Sequence, residues 1–193
     1  KGANLSAVEL INADLKNANM RRVDLNHVNL NNSNLSQTYL IQANLTGANL
    51  KGAILSGSDL QYAILSRANL EKANVTNANL GNSRMIGTDL TEANLTNTDL
   101  RWADLTRADL TRADLSGANM DLAYFFGGDL FATNLEKANL NESILKMTNL
   151  KTANLTGATL IRADLSWSNL KEATLRNTNL TRANLESAIL NKA

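Results

Sequence analysis

The chain has 193 residues and 44% apolar side chains, with 19 basic and 18 acidic residues for a formal net charge of +1. This length and composition suit one folded domain, while the near-neutral charge removes the electrostatic footprint that a nucleic-acid binder shows. The absence of Cys excludes a disulfide framework, a thiol nucleophile and a cysteine-based metal site.

A five-residue repeat begins at Leu5 and runs without a slip of frame to Leu190. The central residue of each unit is apolar, and 33 of the 38 centres are Leu. The residue two before the centre is small, with Ala at 24 of 39 positions, and the residue just before the centre is Asn at 18 and Asp at 10 of 38 positions. The unit is therefore A-(N/D)-L-x-x.

A period of five excludes both a helix and a flat sheet. Residues five apart would scatter around a helix, and in a straight strand successive Leu would lie on opposite faces. The small and central residues are two apart, so in extended backbone both point inward. The two x positions must then form a turn, and 8 of 10 Gly lie at the second x, where positive φ is expected. Four right-angle units would close a square coil around four Leu.

These residues resemble the pentapeptide-repeat family, whose motif is A-(D/N)-L-x-x. The resemblance covers the whole chain and implies an all-β fold, the right-handed quadrilateral β-helix. Four pentapeptides per coil give nine to ten coils for 193 residues, and a stacking distance of about 4.8 Å gives a rod about 45 Å long. Leu105 should then lie between Met85 and the oversized Phe125, for which Gly128 would compensate in volume.

The repeat predicts one domain over residues 1–193. Neither end supplies a polar cap, and the chain does not start with Met, so we expect a piece of a longer protein whose open end coils associate end to end. No apolar run approaches the roughly 20 residues of a membrane span, and no signal peptide is apparent. We therefore expect a soluble domain, in a compartment that the sequence leaves open.

Catalytic chemistry finds little support in the sequence. His27 is the only His, it falls in a turn, and without Cys or a second His it builds neither a nitrogen–sulfur metal site nor an ordinary nucleophile–His pair. The many carboxylates lie on a convex rod without a cleft. We therefore expect no catalytic, cofactor-binding or metal-binding residues, and no cofactor.

Acidic and amide side chains form lines along the rod. The column of Asp89, Asp109 and Asp129 has three interpretations: a site for a hard cation, an imitation of nucleic-acid phosphates, or a ladder in which each Asp accepts bonds from backbone or Arg. The interleaved Arg favour the ladder. Asn before the centre is expected to form amide ladders between coils.

The least repeat-like stretch runs from Asp121 to Phe131. Because residues twenty apart stack in adjacent coils, the outward residues of this stretch should lie beside large apolar residues of neighbouring coils at one corner. This patch is a candidate protein-contact surface or else an ordinary apolar covering. The patch consists of Trp102, Leu122, Tyr124, Phe126, Ile144, Met147 and Trp167.

The leading prediction is a non-catalytic scaffold or protein-binding solenoid with an unidentified protein partner and no nucleic-acid partner. The rigid rod would supply a preordered interface. As among cyanobacterial members of the family it resembles, it could be the rod of a larger membrane-tethered protein. The alternative is a DNA-mimicking inhibitor of a topoisomerase such as gyrase. Family members that confer quinolone resistance suggest this function, whereas the net charge of +1 argues against it.

Overall fold

The computed structural model describes residues 2–193, in which the chain forms no helix and no strand longer than single paired residues. Each pairing is a parallel bridge between a residue and the one twenty positions later, from Asn4↔Asp24 to Asn169↔Ile189. Successive coils are therefore four pentapeptides apart, as the sequence predicted. No helix capable of crossing a membrane occurs in this part of the chain.

The coils stack into a rod with four faces and four corners. Each face carries one column of outward residues, which are the residues just before the Leu centres, and each corner is the two-residue turn that follows a centre. We number the faces by the first outward residue of each column: face 1 starts at Asn4, face 2 at Glu9, face 3 at Asp14 and face 4 at Asn19.

The second residue of every turn from Ala7 to Lys192 has left-handed backbone. Gly fills only some of these positions; Asn, Arg, Lys and even Trp102, with φ of 61°, adopt the same conformation. The amide three residues after each centre closes the turn on the carbonyl of that centre, as Ala108 does on Leu105 at 3.0 Å. Positive φ at the third residue alone is the signature of a type II turn. The prediction of positive φ at the second x is confirmed.

Four of the five backbone amides in each inner unit are used by the backbone itself. In the unit around Leu105, the amides of Asp104 and Leu105 bond to neighbouring coils, the Arg107 amide bonds to the next coil, and Ala108 closes the turn. The remaining amide belongs to the first turn residue. The Asn or Asp before the centre accepts its hydrogen bond, and all 28 such residues do so.

The core is continuous along the rod: the central residues stack in four columns, and the small residue two before each centre packs beside them. Every central residue from Met20 to Leu170 is buried, and Leu105 lies between Met85 and Phe125 as predicted. A Cβ added at Gly128 would first meet the carbonyl oxygens of Phe125 and Ala108, at 3.1 and 3.3 Å, and then a methyl of Leu130. The Phe125 ring is not among these three nearest neighbours, so the contacts do not support direct volume compensation.

The end coils depart from the predicted burial of the whole Leu column. Leu5 and Leu185 are only partly buried, and Leu190 keeps 38% of its surface exposed. The reason is that within residues 2–193 these coils have a neighbour on one side only. End-to-end association stays a prediction.

Candidate protein-binding surface

The predicted contact patch lies along face 1 and its two corners. Tyr124 and Ile144 are consecutive bridge partners on the face itself. Trp102 and Leu122 follow one another in the corner before the face, because the Trp102 amide bonds the carbonyl of Asp121. The sequence predicts that all seven residues gather around one corner. The structure instead spreads them over the width of a face, because three residues of extended chain separate the turns.

The corner after face 1 carries the other three residues, Phe126, Met147 and Trp167. The Met147 amide bonds the carbonyl of Ser166, which places Met147 and Trp167 in successive coils. Five of the seven patch residues are exposed, and Trp167 is the most exposed of them at 60%. Leu122 and Ile144 are half-buried. The sequence-predicted residues thus share one side of the rod.

Three further apolar residues on the same side were missed by the sequence reasoning. Tyr62 is 53% exposed in the corner before face 1, Ile64 lies on the face, and the half-buried Ile86 lies in the corner after it. They extend the apolar surface by two coils toward the N terminus. The available signal was Ile64, which stands where the repeat places Asn or Asp. We call these three residues together with the seven predicted ones the face 1 surface.

The outward column of face 1 loses its Asn or Asp where the surface is most apolar. In the five coils from Ile64 to Ile144, four outward residues are neither Asn nor Asp: Ile64, Arg84, Tyr124 and Ile144. The first turn amides that follow them find no acceptor within residues 2–193: those of Ser66, Ile86, Phe126 and Lys146. On the other three faces such replacements number six and are dispersed among 28 outward positions: Glu9, Tyr39, Ile54, Thr159, Thr174 and Ile189.

Two cations of the corner before face 1 form ion pairs with carboxylates. In the corner before the face, Arg101 pairs with Asp99 at 2.6 Å, and Arg162 pairs with Glu142 at 3.4 Å. The side-chain hydrogen bond from Arg101 lowers the pKa of Asp99 and overcomes the opposing effect of burial. The cations of the face and of the corner after it form no ion pair with a carboxylate in the described chain: Arg67, Arg84, Arg107 and Lys146.

The carboxylates of the acidic column on face 2 accept hydrogen bonds from backbone amides and form no ion pair with Arg in the described chain. Oδ1 of Asp89 accepts the amide of Thr91, Asp109 accepts that of Thr111, and Asp129 accepts that of Phe131. The predicted ladder, in which each Asp accepts bonds from backbone or Arg, is therefore formed through the backbone at these three residues, while Asp99 is the one Asp in the described residues that pairs with an Arg. The predicted Asn ladders do occur, for example where Nδ2 of Asn139 donates to Oδ1 of Asn119 at 3.0 Å.

Residues 2–193 bring no three His, Cys, Asp or Glu side chains together in a way that could hold a metal ion. His27 lies exposed in a turn, where the sequence placed it. Its ring occupies the space beside Gly47, and a Cβ added at Gly47 would clash with it.

Solved structures of similar shape were found. HetL, a pentapeptide-repeat protein involved in heterocyst differentiation regulation in the cyanobacterium Nostoc sp. strain PCC 7120, is 36% identical, with 100% of this chain and 86% of HetL covered and a TM-score of 0.56. QnrB1, a plasmid-mediated fluoroquinolone resistance protein, is 19% identical, with 99% and 88% coverage and a TM-score of 0.50. At that identity the likeness to QnrB1 shows the fold alone.

No curated protein matches the chain significantly. A family model does match. The model for pentapeptide repeats matches in eight copies over residues 1–37, 33–71, 68–107, 103–130, 133–171 and 168–193. Together with the likeness to HetL, this match shows that the chain belongs to the pentapeptide-repeat family.

Proposed function

We propose that the chain is a non-catalytic protein-binding rod and that the face 1 surface is where its partner docks. One observation carries the proposal: over five successive coils, face 1 gives up four of the Asn or Asp side chains that elsewhere cap the turn amides. Each exchange forgoes a hydrogen bond worth about 1 kcal/mol. Departures from the local rules of a fold concentrate at functional sites, where stability is traded for activity.

The side chains that replace Asn and Asp are suited to binding. Tyr124, Phe126 and Trp167 are exposed aromatics, the residue type enriched among interface hot spots. They lie with aliphatic neighbours in one contiguous surface, whereas scattered apolar residues such as Tyr39 and Ile54 stand alone on other faces. The hydrogen-bonded coils hold this surface in place before binding, which lowers the entropic cost of association. The regulatory role of HetL supports a binding function of this kind.

The alternative, a DNA-mimicking topoisomerase inhibitor, has weaker support. A DNA mimic needs a strongly negative rod, and the net charge here is +1. The carboxylates of Asp89, Asp109 and Asp129 accept hydrogen bonds from turn amides, and this short acidic column ends at Asn69 on one side and Asn149 on the other. A gyrase supercoiling assay separates the two functions: we expect no inhibition, and inhibition by the intact chain would favour the mimic.

The docking proposal is tested by removing two exposed aromatics without disturbing the backbone. Phe126→Ser replaces a first turn residue, and Trp167→Asn puts at a left-handed position a residue that adopts it readily. The melting temperature should change little, while capture of the partner from the source organism weakens about thirtyfold, for a loss of about 2 kcal/mol.

The matched control removes two exposed apolar side chains away from face 1, with Tyr39→Asn on face 4 and Ile54→Asn on face 3. This double variant should capture the partner as the unmodified chain does. Equal capture by the unmodified chain and the Phe126/Trp167 variant would remove the face 1 surface as the docking site.

A further inference from the structure

The corner after face 1 is rich in hydrogen-bond donors and cations that the chain itself leaves without partners. Arg67, Arg107 and Lys146 lie in this corner and Arg84 lies on the adjoining face, and none of them pairs with a carboxylate within residues 2–193. We call this corner, from Ser66 to Trp167, together with Arg84 the donor edge.

The corner between faces 2 and 3 has the opposite character. There Lys51 pairs with Glu71 at 2.7 Å, Lys72 pairs with Glu92 at 3.7 Å, and Arg112 approaches the same Glu92 at 3.8 Å. Cations and acids stack in alternation and neutralise one another along that corner from Lys51 to Arg112.

Other cations of the described chain, such as Lys151 and Arg176, also lack an ion pair. The donor edge differs in that its four unpaired cations lie beside the uncapped turn amides and the exposed aromatic residues of face 1.

Backbone amides add to the donors of this edge. Wherever the outward residue is Asn or Asp, its side-chain oxygen accepts the first turn amide, as Asp104 does from Thr106 at 3.0 Å, so this amide is directed toward the outer surface. The equivalent amides of Ser66 and Ile86 lie in adjacent coils, as do those of Phe126 and Lys146, about 4.8 Å apart in each pair. None of these four amides has an acceptor among residues 2–193.

We propose that the partner presents an acidic, amphipathic protein segment to the face 1 surface, with carboxylates and carbonyls at the donor edge and apolar side chains against Tyr124, Phe126 and Trp167. An edge composed of donors and cations requires acceptors and negative charge from its partner, and it repels a basic one. This inference rests on the proposed docking function and specifies the chemistry of the occupant.

A protein segment fits this surface better than a nucleic acid does. The acidic column of Asp89, Asp109 and Asp129 runs along face 2, the next face beyond the donor edge. That column repels the extended phosphate backbone of a nucleic acid, whereas a short acidic peptide can remain on the face 1 side of the corner. The apolar residues of the face require apolar side chains in the occupant, which a peptide supplies.

The test selects random linear peptides displayed on phage against the full chain and then measures the affinity of the selected peptides by fluorescence anisotropy. The charge variant is Arg67→Glu with Arg107→Glu, at left-handed positions of the kind that Glu92 and Glu142 already occupy. The control, Lys151→Glu with Arg176→Glu, makes the same charge change on corners that do not border face 1 and at cations without an ion pair in the described chain.

We expect selected peptides that combine Asp or Glu with aromatic or aliphatic residues. Their affinity should fall about tenfold or more in the charge variant, stay unchanged in the control, and weaken as salt is raised. If the selected peptides are neutral, and if their affinity falls in the Phe126/Trp167 variant but not in the charge variant, the acidic partner is overturned and the docking function stands. Peptides insensitive to every face 1 variant would overturn both.

Two other results also contradict the inference. Enrichment of basic peptides, or failure to enrich any linear peptide, would show that the surface does not take an acidic segment. Competition for the surface by a single-stranded oligonucleotide at an affinity above that of the selected peptides would assign it to nucleic acid instead.

Discussion

The backbone amide of Thr106 donates a hydrogen bond to Oδ1 of Asp104, and the two atoms are 3.0 Å apart. Among the five turns that follow face 1 between Ile64 and Ile144, this is the one that retains the side-chain cap. The pair shows what Asn and Asp do in the repeat: they supply the acceptor for the one amide that the coils leave unused.

Removing this cap should lower stability without changing the fold. We expect Asp104→Ala to reduce the free energy of unfolding by about 1 kcal/mol, because the Thr106 amide loses its acceptor. Asp104→Asn is the control and should preserve stability, since the amide oxygen accepts the same bond. Chemical denaturation measures both, and an Ala variant as stable as the Asn variant would contradict this role.

A buried hydroxyl without a partner should be replaceable with a gain in stability. Ser83 lies in the core lining, and its Oγ forms no hydrogen bond, whereas Oγ of Ser58 donates to the carbonyl of Leu55 at 2.6 Å. Ser83→Ala restores the common residue of the repeat and should raise stability by about 1 kcal/mol, or the melting temperature by about 2–4 °C. Ser58→Ala should not gain stability, because it removes a hydroxyl that does form a hydrogen bond. A stability loss in the Ser83 variant would indicate a partner for its hydroxyl.

The left-handed turn position should penalise β-branched side chains. Thr152 has φ of 59° and is the β-branched residue in this conformation within the described chain. Thr152→Gly should stabilise the rod by about 1 kcal/mol. The reverse change, Gly87→Thr, should destabilise it by a similar amount, because Gly87 has φ of 64° and a Cβ added there meets no atom within 4 Å. If thermal melts do not show a gain in stability for Thr152→Gly and a loss for Gly87→Thr, backbone strain at this turn position is excluded.

The core prediction separates the middle of the rod from its ends. Leu105 is fully buried, so Leu105→Asp places a carboxylate in the core and should cost roughly 3 kcal/mol or more. Leu190→Asp alters a residue that is 38% exposed and should cost much less. Circular dichroism during heating measures the difference, and unchanged melting of the Leu105 variant would refute the buried column.

Much of the fold was predictable because the repeat imposes the same geometry on every unit. The spacing of Ala103 and Leu105 predicted two inward residues, and Gly87 predicted the left-handed turn. The role of Asp104 was only half predicted. Sequence shows that an Asx residue recurs, but its acceptor role toward Thr106 becomes apparent only when the other backbone amides have been assigned to coils.

The candidate surface was predictable in content but not in extent. The aromatic stretch around Phe126 indicated the side of the rod on which the structure places all seven predicted residues. Ile64 was missed because it interrupts the repeat singly, and Tyr62 because it stands at an x position where the repeat specifies no residue type. Neither has a visible consequence until the bridges align face 1 with Arg84 and its neighbours. Exposure of the end coils depends on stacked neighbours, which the motif of one unit does not specify.

The central claim is that face 1 exchanges turn caps for a binding surface, and two isoleucines in equivalent positions test it most directly. Ile64 on face 1 and Ile54 on face 3 are 37% and 40% exposed, and each stands where the repeat places Asn or Asp. Asn at either position offers the missing acceptor to the following turn amide, so Ile64→Asn and Ile54→Asn should change the melting temperature equally.

The decisive measurement is the affinity of these two variants for the partner that the unmodified chain captures, with Ile144→Asn added to the Ile64 change to enlarge the effect. The account predicts about a tenfold or greater loss of affinity for the Ile64/Ile144 variant and no loss for Ile54→Asn, while both remain folded. Full affinity of the Ile64/Ile144 variant, or an equal loss in Ile54→Asn, would contradict it.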